Sequence, residues 1–299
     1  MSKLPSIKHR LISGISIAIA LFAAFFFLPD AFLPLLLAAI GALLTLEFYQ
    51  ILTAANIPNF KVWGTVASVL LTLDVWYTPL GLIMIVPLVC VVFLLLRQLG
   101  KNAPRPIETL GGTFLGVFYV GFLWSFMVRL LVVAKVPEFE PFSLGVEMSR
   151  RWLLLYAVFA AKFTDIGAYL VGCLFGRHKL CPRVSPNKSW EGVAGGLFLG
   201  TLACTLLAWF VPEGFPFRDI EWPQLPVIIV TSLLVCATGV VGDLVESLFK
   251  RAATVKDSGG FIPGMGGTLD LLDSLLFTAP ATYLSIWILI HLQWLSMAQ

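Results

Sequence analysis

Apolar residues run along this chain in blocks of about twenty, separated by short polar breaks. A helix rises 1.5 Å per residue, so roughly 20 such residues cross a bilayer core of about 30 Å. Nine blocks are candidates: 11–29, 31–50, 61–78, 80–97, 109–134, 152–175, 191–211, 225–249 and 274–295. The third is broken by Asp74, and Thr78-Pro79 divides it from the fourth. The first follows Lys3, Lys8 and Arg10 as a signal peptide would, but it is longer than a typical signal core, lacks a small-x-small cleavage site and runs directly into the second. It is expected to be a retained span. The pattern predicts an all-α fold, a polytopic integral membrane helical bundle of about nine transmembrane helices.

Composition agrees. The chain is 59% hydrophobic and 12% charged, with a mean hydropathy of +0.92, whereas a soluble domain carries about a quarter charged residues. A net charge of +3 is too small to point to nucleic acid as a partner. The five cysteines (Cys90, Cys173, Cys181, Cys204, Cys236) are odd in number and mostly within apolar runs, which argues against a disulfide framework.

Basic residues orient the spans. With the N-terminus in the cytoplasm, 14 of the 20 Lys and Arg fall in cytoplasmic segments, as the positive-inside bias requires. Two long loops, 176–190 and 250–273, then face the same compartment. Residues 1–150 read as an N-terminal set of about five spans, and 151–299 as a C-terminal transmembrane region carrying both loops.

In so apolar a chain the remaining charges are informative. Lys162 and Asp165 are three apart on one face of the sixth block, where an unpaired carboxylate costs about 2.5–3.5 kcal/mol on insertion scales; a mutual ion pair closing a helix interface is the simplest account. The stretch Gly242–Asp273 gathers four aspartates, one glutamate, two lysines and one arginine. Asp243, Ser247 and Lys250 form one helical stripe, flanked by Glu246 and Arg251. Snorkelling accounts for Lys250 and Arg251 at a helix end but not for the deeper acids. A Gly-rich turn follows, and Asp270 and Asp273 open the last block at i, i+3. Taken singly, the turn is a weak signal, and either acid could be a cap or a first-turn charge. Carboxylates without histidine or thiolate suit a hard cation, Mg²⁺ first, with lysines, an arginine and loop NH groups balancing phosphate charge. The 176–190 loop adds Arg177, Lys179, Arg183 and Lys188 among Ser185, Pro186 and Ser189.

These residues resemble the phosphatidate cytidylyltransferase (CDP-diacylglycerol synthase) family. Its signature is matched by Ser247, Lys250, Arg251, Lys256, Asp257, Pro263, Gly266, Gly267, Asp270 and Asp273. Upstream elements are matched by Asp165, Ala168, Tyr169, Gly176, Arg177, Ser185, Pro186, Lys188, Ser189, Trp190, Glu191 and Gly192. Met265 stands where the family has His, and Leu271 where it has Arg. The resemblance implies transfer of CMP from CTP to phosphatidic acid, giving CDP-diacylglycerol and pyrophosphate. It also implies Mg²⁺ with a second, monovalent cation such as K⁺, a homodimer, and a site facing the cytoplasm from the cell inner membrane. Asp243, Asp270 and Asp273 would be the metal-facing acids. Lys250 and Arg251, with Ser247, Lys256, Lys188, Arg177, Ser185, Gly266 and Gly267, would hold phosphates, with Glu246 orienting a lysine or a ligand water. Lipid tails would enter sideways between helices. A CTP-dependent lipid kinase or a secondary transporter are the alternative readings of the same charges.

Overall fold

The computed structural model describes residues 23–24, 26–77, 85–101, 105–133, 149–211, 215, 224–260 and 266–297. Lys3, Lys8, Arg10, most of the 11–29 block, the Thr78-Pro79 division, Pro263 and Met265 lie outside them. The described residues form helices and one short ribbon, joined by turns and loops. In order they form α1 (Leu33–Ala54), α2 (Lys61–Tyr77), α3 (Ile85–Lys101), α4 (Pro106–Val132), α5 (Ser149–Phe175), β1 (Lys179–Cys181), β2 (Ser185–Ser189), α6 (Trp190–Phe210), α7 (Gln224–Ala252), α8 (Thr268–Leu272) and α9 (Leu275–Met297).

Six stretches among these residues are long and apolar enough to cross a membrane: Leu33–Ala54, Pro106–Val132, Arg151–Phe175, Trp190–Phe210, Leu225–Ala252 and Thr268–Leu289. The protein is a polytopic membrane protein. Within the expected third and fourth spans the described residues form helices over Lys61–Tyr77 and Ile85–Lys101. Large apolar side chains such as Leu174, Phe198 and Phe210 are exposed, as a lipid-facing surface requires and a water-facing one would not tolerate.

The chain forms two compact units, the described parts of Met1–Val128 with Phe249–Leu272, and of Arg129–Leu248 with Asp273–Gln299. In the first, α1 begins with Pro34 in its opening turn, where a missing NH costs nothing. It ends where Asn56 adopts φ 58° and the Asn56 and Ile57 NH groups return to Thr53 and Leu52 carbonyls, a Schellman closure suited to Asn. Tyr49 is fully buried and donates to the Thr113 carbonyl at 2.7 Å. Its ring fills a slot floored by Gly64 and Gly116, where any Cβ would overlap it. Trp124 donates to the Leu37 carbonyl at 2.7 Å. Midway, α4 widens into a π-helical segment, Val117–Phe122. It presents Tyr119 to Phe48 and Phe249 at ring-centroid separations of 5.0 Å for each, so the last turn of α7 is fixed to α1 and α4 by aromatic contact.

In the second unit α5 and α6 are closely packed neighbours. A Cβ on Gly196 would stand 2.6 Å from the Thr164 carbonyl oxygen, so the backbones touch as small residues permit within membranes. Thr278 of α9 donates to the Ala157 carbonyl at 3.2 Å. Tyr156 and Ser232 share a buried hydrogen bond of 2.8 Å.

Candidate functional site

The expected loop 176–190 is an antiparallel ribbon, with Lys179 opposite Ser189 and Cys181 opposite Ser185. Glu191, in the first turn of α6, closes it. Its carboxylate accepts the NH groups of Arg177 (3.1 Å) and His178 (3.2 Å) and faces His178 Nδ1 at 2.6 Å. Ser189 caps α6, its Oγ accepting the Gly192 NH at 3.1 Å. An exposed hairpin is thereby held at the helix entrance, and Lys188 is carried on its second strand. Lys188 Nζ lies 2.5 Å from Asp243 Oδ2.

Lys188 and Asp243 line a cleft of about 260 Å³ together with Thr164, Asp165, Asn187 and Ser189. Lys162 and Asp165 form the expected pair at 2.9 Å. Ser274 Oγ then lies 3.4 Å from Asp165 Oδ1 and 3.3 Å from Asp273 Oδ1. Asp243, Glu246 and Asp273 each offer a carboxylate oxygen, all within 4.8 Å of one another. Glu246 and Asp273 are buried, at 1% and 5% exposure. Three such oxygens, with no imidazole or thiolate among them, fit a hard divalent cation. Charges this close and this dry would otherwise repel strongly. Ser247 Oγ stands 3.4 Å from Asp243 Oδ1, the i, i+4 contact of one helix face.

The remaining expected residues lie in the other unit. Lys250 Nζ bonds Asp270 Oδ1 at 2.7 Å, with both side chains at least 85% covered. Asp270 Oδ2 accepts the Ser258 NH at 2.9 Å and the Gly267 NH at 2.8 Å. Asp270 thus gathers the signature loop. Gly266 has φ +97°, open to glycine and strained for other residues. A Cβ on Gly267 would overlap Ser258 Oγ. The loop leaves α7 through Thr254 at φ 56°, whose NH and that of Val255 close the helix on Arg251 and Lys250 carbonyls. Arg251, Lys256 and Arg177 are exposed, and Leu271 is half-buried on α8. Ser185 is half-buried on β2.

Two expectations change. Asp270 and Asp273 do not open one continuous helix, because α8 stops at Leu272 and Asp273-Ser274 forms a turn before α9. In that turn Asp273 Oδ1 accepts the Ser274 NH at 2.6 Å, a local side-chain bond that competes with helix continuation. Glu246, expected to orient others, stands within the acidic cluster itself. One residue was not singled out from sequence at all. Glu47 on α1, 5% exposed, accepts the NH groups of Thr268 (2.9 Å) and Leu269 (2.7 Å) and the Ser258 hydroxyl (3.2 Å). Its signal was a lone acid in an otherwise apolar run.

Known sequences align with this arrangement. A "Phosphatidate cytidylyltransferase" of Staphylococcus aureus (strain COL) is 46% identical over 127 residues, 42% of this chain and 46% of that protein. In that match the chain spans about half the length of its relative. The protein of the same name from Mycobacterium leprae is 34% identical over 206 residues, covering 67% of this chain and 61% of its own. That of Synechocystis sp. is 32% identical across 94% of this chain and 97% of its own length. A profile described as "Cytidylyltransferase family" matches residues 8–289. With residues 8–289 matched, nearly the whole chain, this protein belongs to the cytidylyltransferase family.

Proposed function

We propose that the protein is a phosphatidate cytidylyltransferase, joining CTP and phosphatidic acid into CDP-diacylglycerol with release of pyrophosphate. The observation that carries this reading is the convergence of Asp243, Glu246 and Asp273 within 4.8 Å beside a cleft into which Lys188 reaches. Phosphatidate is largely dianionic near pH 7, its second pKa being about 6 by analogy with phosphate monoesters, so its oxygen needs no protein base. That oxygen attacks the α-phosphorus of CTP, the α–β bridging P–O bond breaks, and the electron pair leaves with pyrophosphate. The protein's task is to bring two polyanions together in line.

Asp243, Glu246 and Asp273 are the acids assigned to Mg²⁺, with a monovalent ion such as K⁺ part of the same reading; Asp270 is assigned to holding Lys250 and the signature loop. Bound metal would neutralise phosphate charge and stabilise the departing pyrophosphate. Lys188 and Lys250, each paired with an aspartate in this structure, are assigned to substrate phosphates, with Arg251, Lys256, Arg177, Ser247 and Ser185 around them. Backbone NH groups at Gly266 and Gly267 add donors. The reading includes a cytoplasmic N-terminus, loops facing the cytoplasm from the inner membrane, lateral entry of lipid and assembly as a homodimer.

Purified protein incubated with CTP labelled at the α- or γ-phosphorus, Mg²⁺ and phosphatidic acid tests it. The α label should enter lipid and the γ label should leave as pyrophosphate, with Asp270→Asn nearly inactive. Label passing from the γ position to lipid with release of CDP would establish a kinase instead. No transfer of either label would remove the enzymatic reading.

A further inference from the structure

Two carboxylates bind the signature loop, and only one belongs to the signature. Asp270 holds the Ser258 and Gly267 NH groups. Glu47, remote in sequence on α1, takes the next two NH groups, those of Thr268 and Leu269, and also the Ser258 hydroxyl. Ser258 is thus shared, its backbone NH bound by Asp270 and its side chain by Glu47. Three successive amides, Gly267 to Leu269, end on one or other of these two acids. The fit is close: a Cβ on Gly267 would stand 2.6 Å from Glu47 Oε2, and one on Gly259 3.0 Å from Glu47 Oε1. Phe48, the next residue on α1, meets Phe249 edge-on at 5.2 Å, so α1 grips both the start and the end of the segment that carries Lys250 and Asp270.

We propose that Glu47 is a positioning residue for the cytidylyl transfer, fixing Ser258, Thr268 and Leu269 so that Asp270 holds Lys250 in its working orientation. The inference rests on the function proposed above. Glu47 has no assigned contact with substrate and acts through Asp270. A glutamine at this site keeps the shape and one acceptor oxygen but turns an NH₂ toward groups that already donate, so at least one of the three bonds is lost. Bonds that work as one unit also lose additivity when removed together.

The test uses the full-length protein in nanodiscs, as wild type, Glu47→Gln, Ser258→Ala, Asp270→Asn and the double variant Glu47→Gln/Asp270→Asn. Glu47→Gln is expected to lower kcat at least tenfold, with KM for phosphatidate changed less than threefold. Its amides at Thr268 and Leu269 are expected to exchange hydrogen at least tenfold faster. Ser258→Ala should show a smaller loss in the same direction, and the double variant should be no slower than Asp270→Asn alone. Unchanged exchange at Thr268 and Leu269 would overturn the proposal, as would faster exchange with an unchanged kcat, or losses that simply multiply in the double variant. If Glu47→Gln is too unstable to purify, Ser258→Ala carries the same three readouts. An active wild type with indifferent variants defeats the Glu47 role alone, whereas a wild type that forms no CDP-lipid defeats the functional reading and this role with it.

Discussion

Gly267→Ala isolates what the close packing of the signature loop is worth. The new methyl would overlap Ser258 Oγ and stand 2.6 Å from Glu47 Oε2 and 2.8 Å from the Gly259 backbone nitrogen. The serine hydroxyl could rotate away only by giving up Glu47, and the Gly259 nitrogen cannot rotate at all. Ordinary contact then requires the loop to shift by roughly 1 Å, and a displacement of that size near reacting groups costs about 10²-fold in rate. The bonds put at risk are Ser258 Oγ to Glu47 (3.2 Å) and the Gly267 and Ser258 NH groups to Asp270 (2.8 and 2.9 Å). Each is made to a carboxylate and is worth about 1.5–3 kcal/mol, so loss of two lowers stability by roughly 3–6 kcal/mol. Gly260 provides the control on the same loop, being exposed with nothing within 4 Å of a Cβ. Rates of CDP-diacylglycerol formation and thermal unfolding should both fall sharply for Gly267→Ala and stay near wild type for Gly260→Ala. Equal activity and equal melting of the two variants would refute the reasoning.

Other outcomes follow from single contacts. Lys188→Met retains the apolar stem but removes the charge 2.5 Å from Asp243; loss of a charge-assisted bond of about 1.5–3 kcal/mol should reduce kcat/KM roughly 10- to 100-fold, read from initial rates. Tyr49→Phe deletes the 2.7 Å bond to the Thr113 carbonyl and should cost about 1–3 kcal/mol of stability with the buried acceptor left over, measured by denaturant unfolding in detergent while activity is retained. Thr254→Asn relieves a β-branched residue at φ 56°; left-handed backbone costs about 1–2 kcal/mol for ordinary L-residues, so the variant should melt higher, as differential scanning would record. Glu108→Gln breaks only the exposed pair with Arg105 and should change stability by less than about 1 kcal/mol.

Much of this was legible in sequence because the bilayer imposes one rule, that a spanning segment be apolar over a helix length. The blocks 31–50, 109–134, 152–175, 191–211 and 225–249 therefore sit on helices with nearly the expected bounds. The division at 61–97 was harder, since Asp74 and Pro79 are weak breaks in an apolar run. The Lys162–Asp165 pair was readable because helical spacing alone brings i and i+3 together. That local rule failed at Asp270 and Asp273, where the helix breaks between the acids. It was silent on Lys188–Asp243, which depends on a ribbon folding back. Glu47 was missed for the same reason: its partners at Ser258, Thr268 and Leu269 lie more than 200 positions away, and no periodicity encodes such a meeting. The π-helical Val117–Phe122 carries no residue type that announces it.

The claim on which the chemistry turns is that Asp243, Glu246 and Asp273 together hold a hard divalent cation. Titration of Mn²⁺, followed by electron paramagnetic resonance in the purified protein with and without CTP, measures this directly. Wild type should bind the ion and release it to a chelator, whereas Asp243→Asn and Asp273→Asn should each bind at least tenfold more weakly while remaining folded. Equal Mn²⁺ affinity in all three folded proteins would contradict the account.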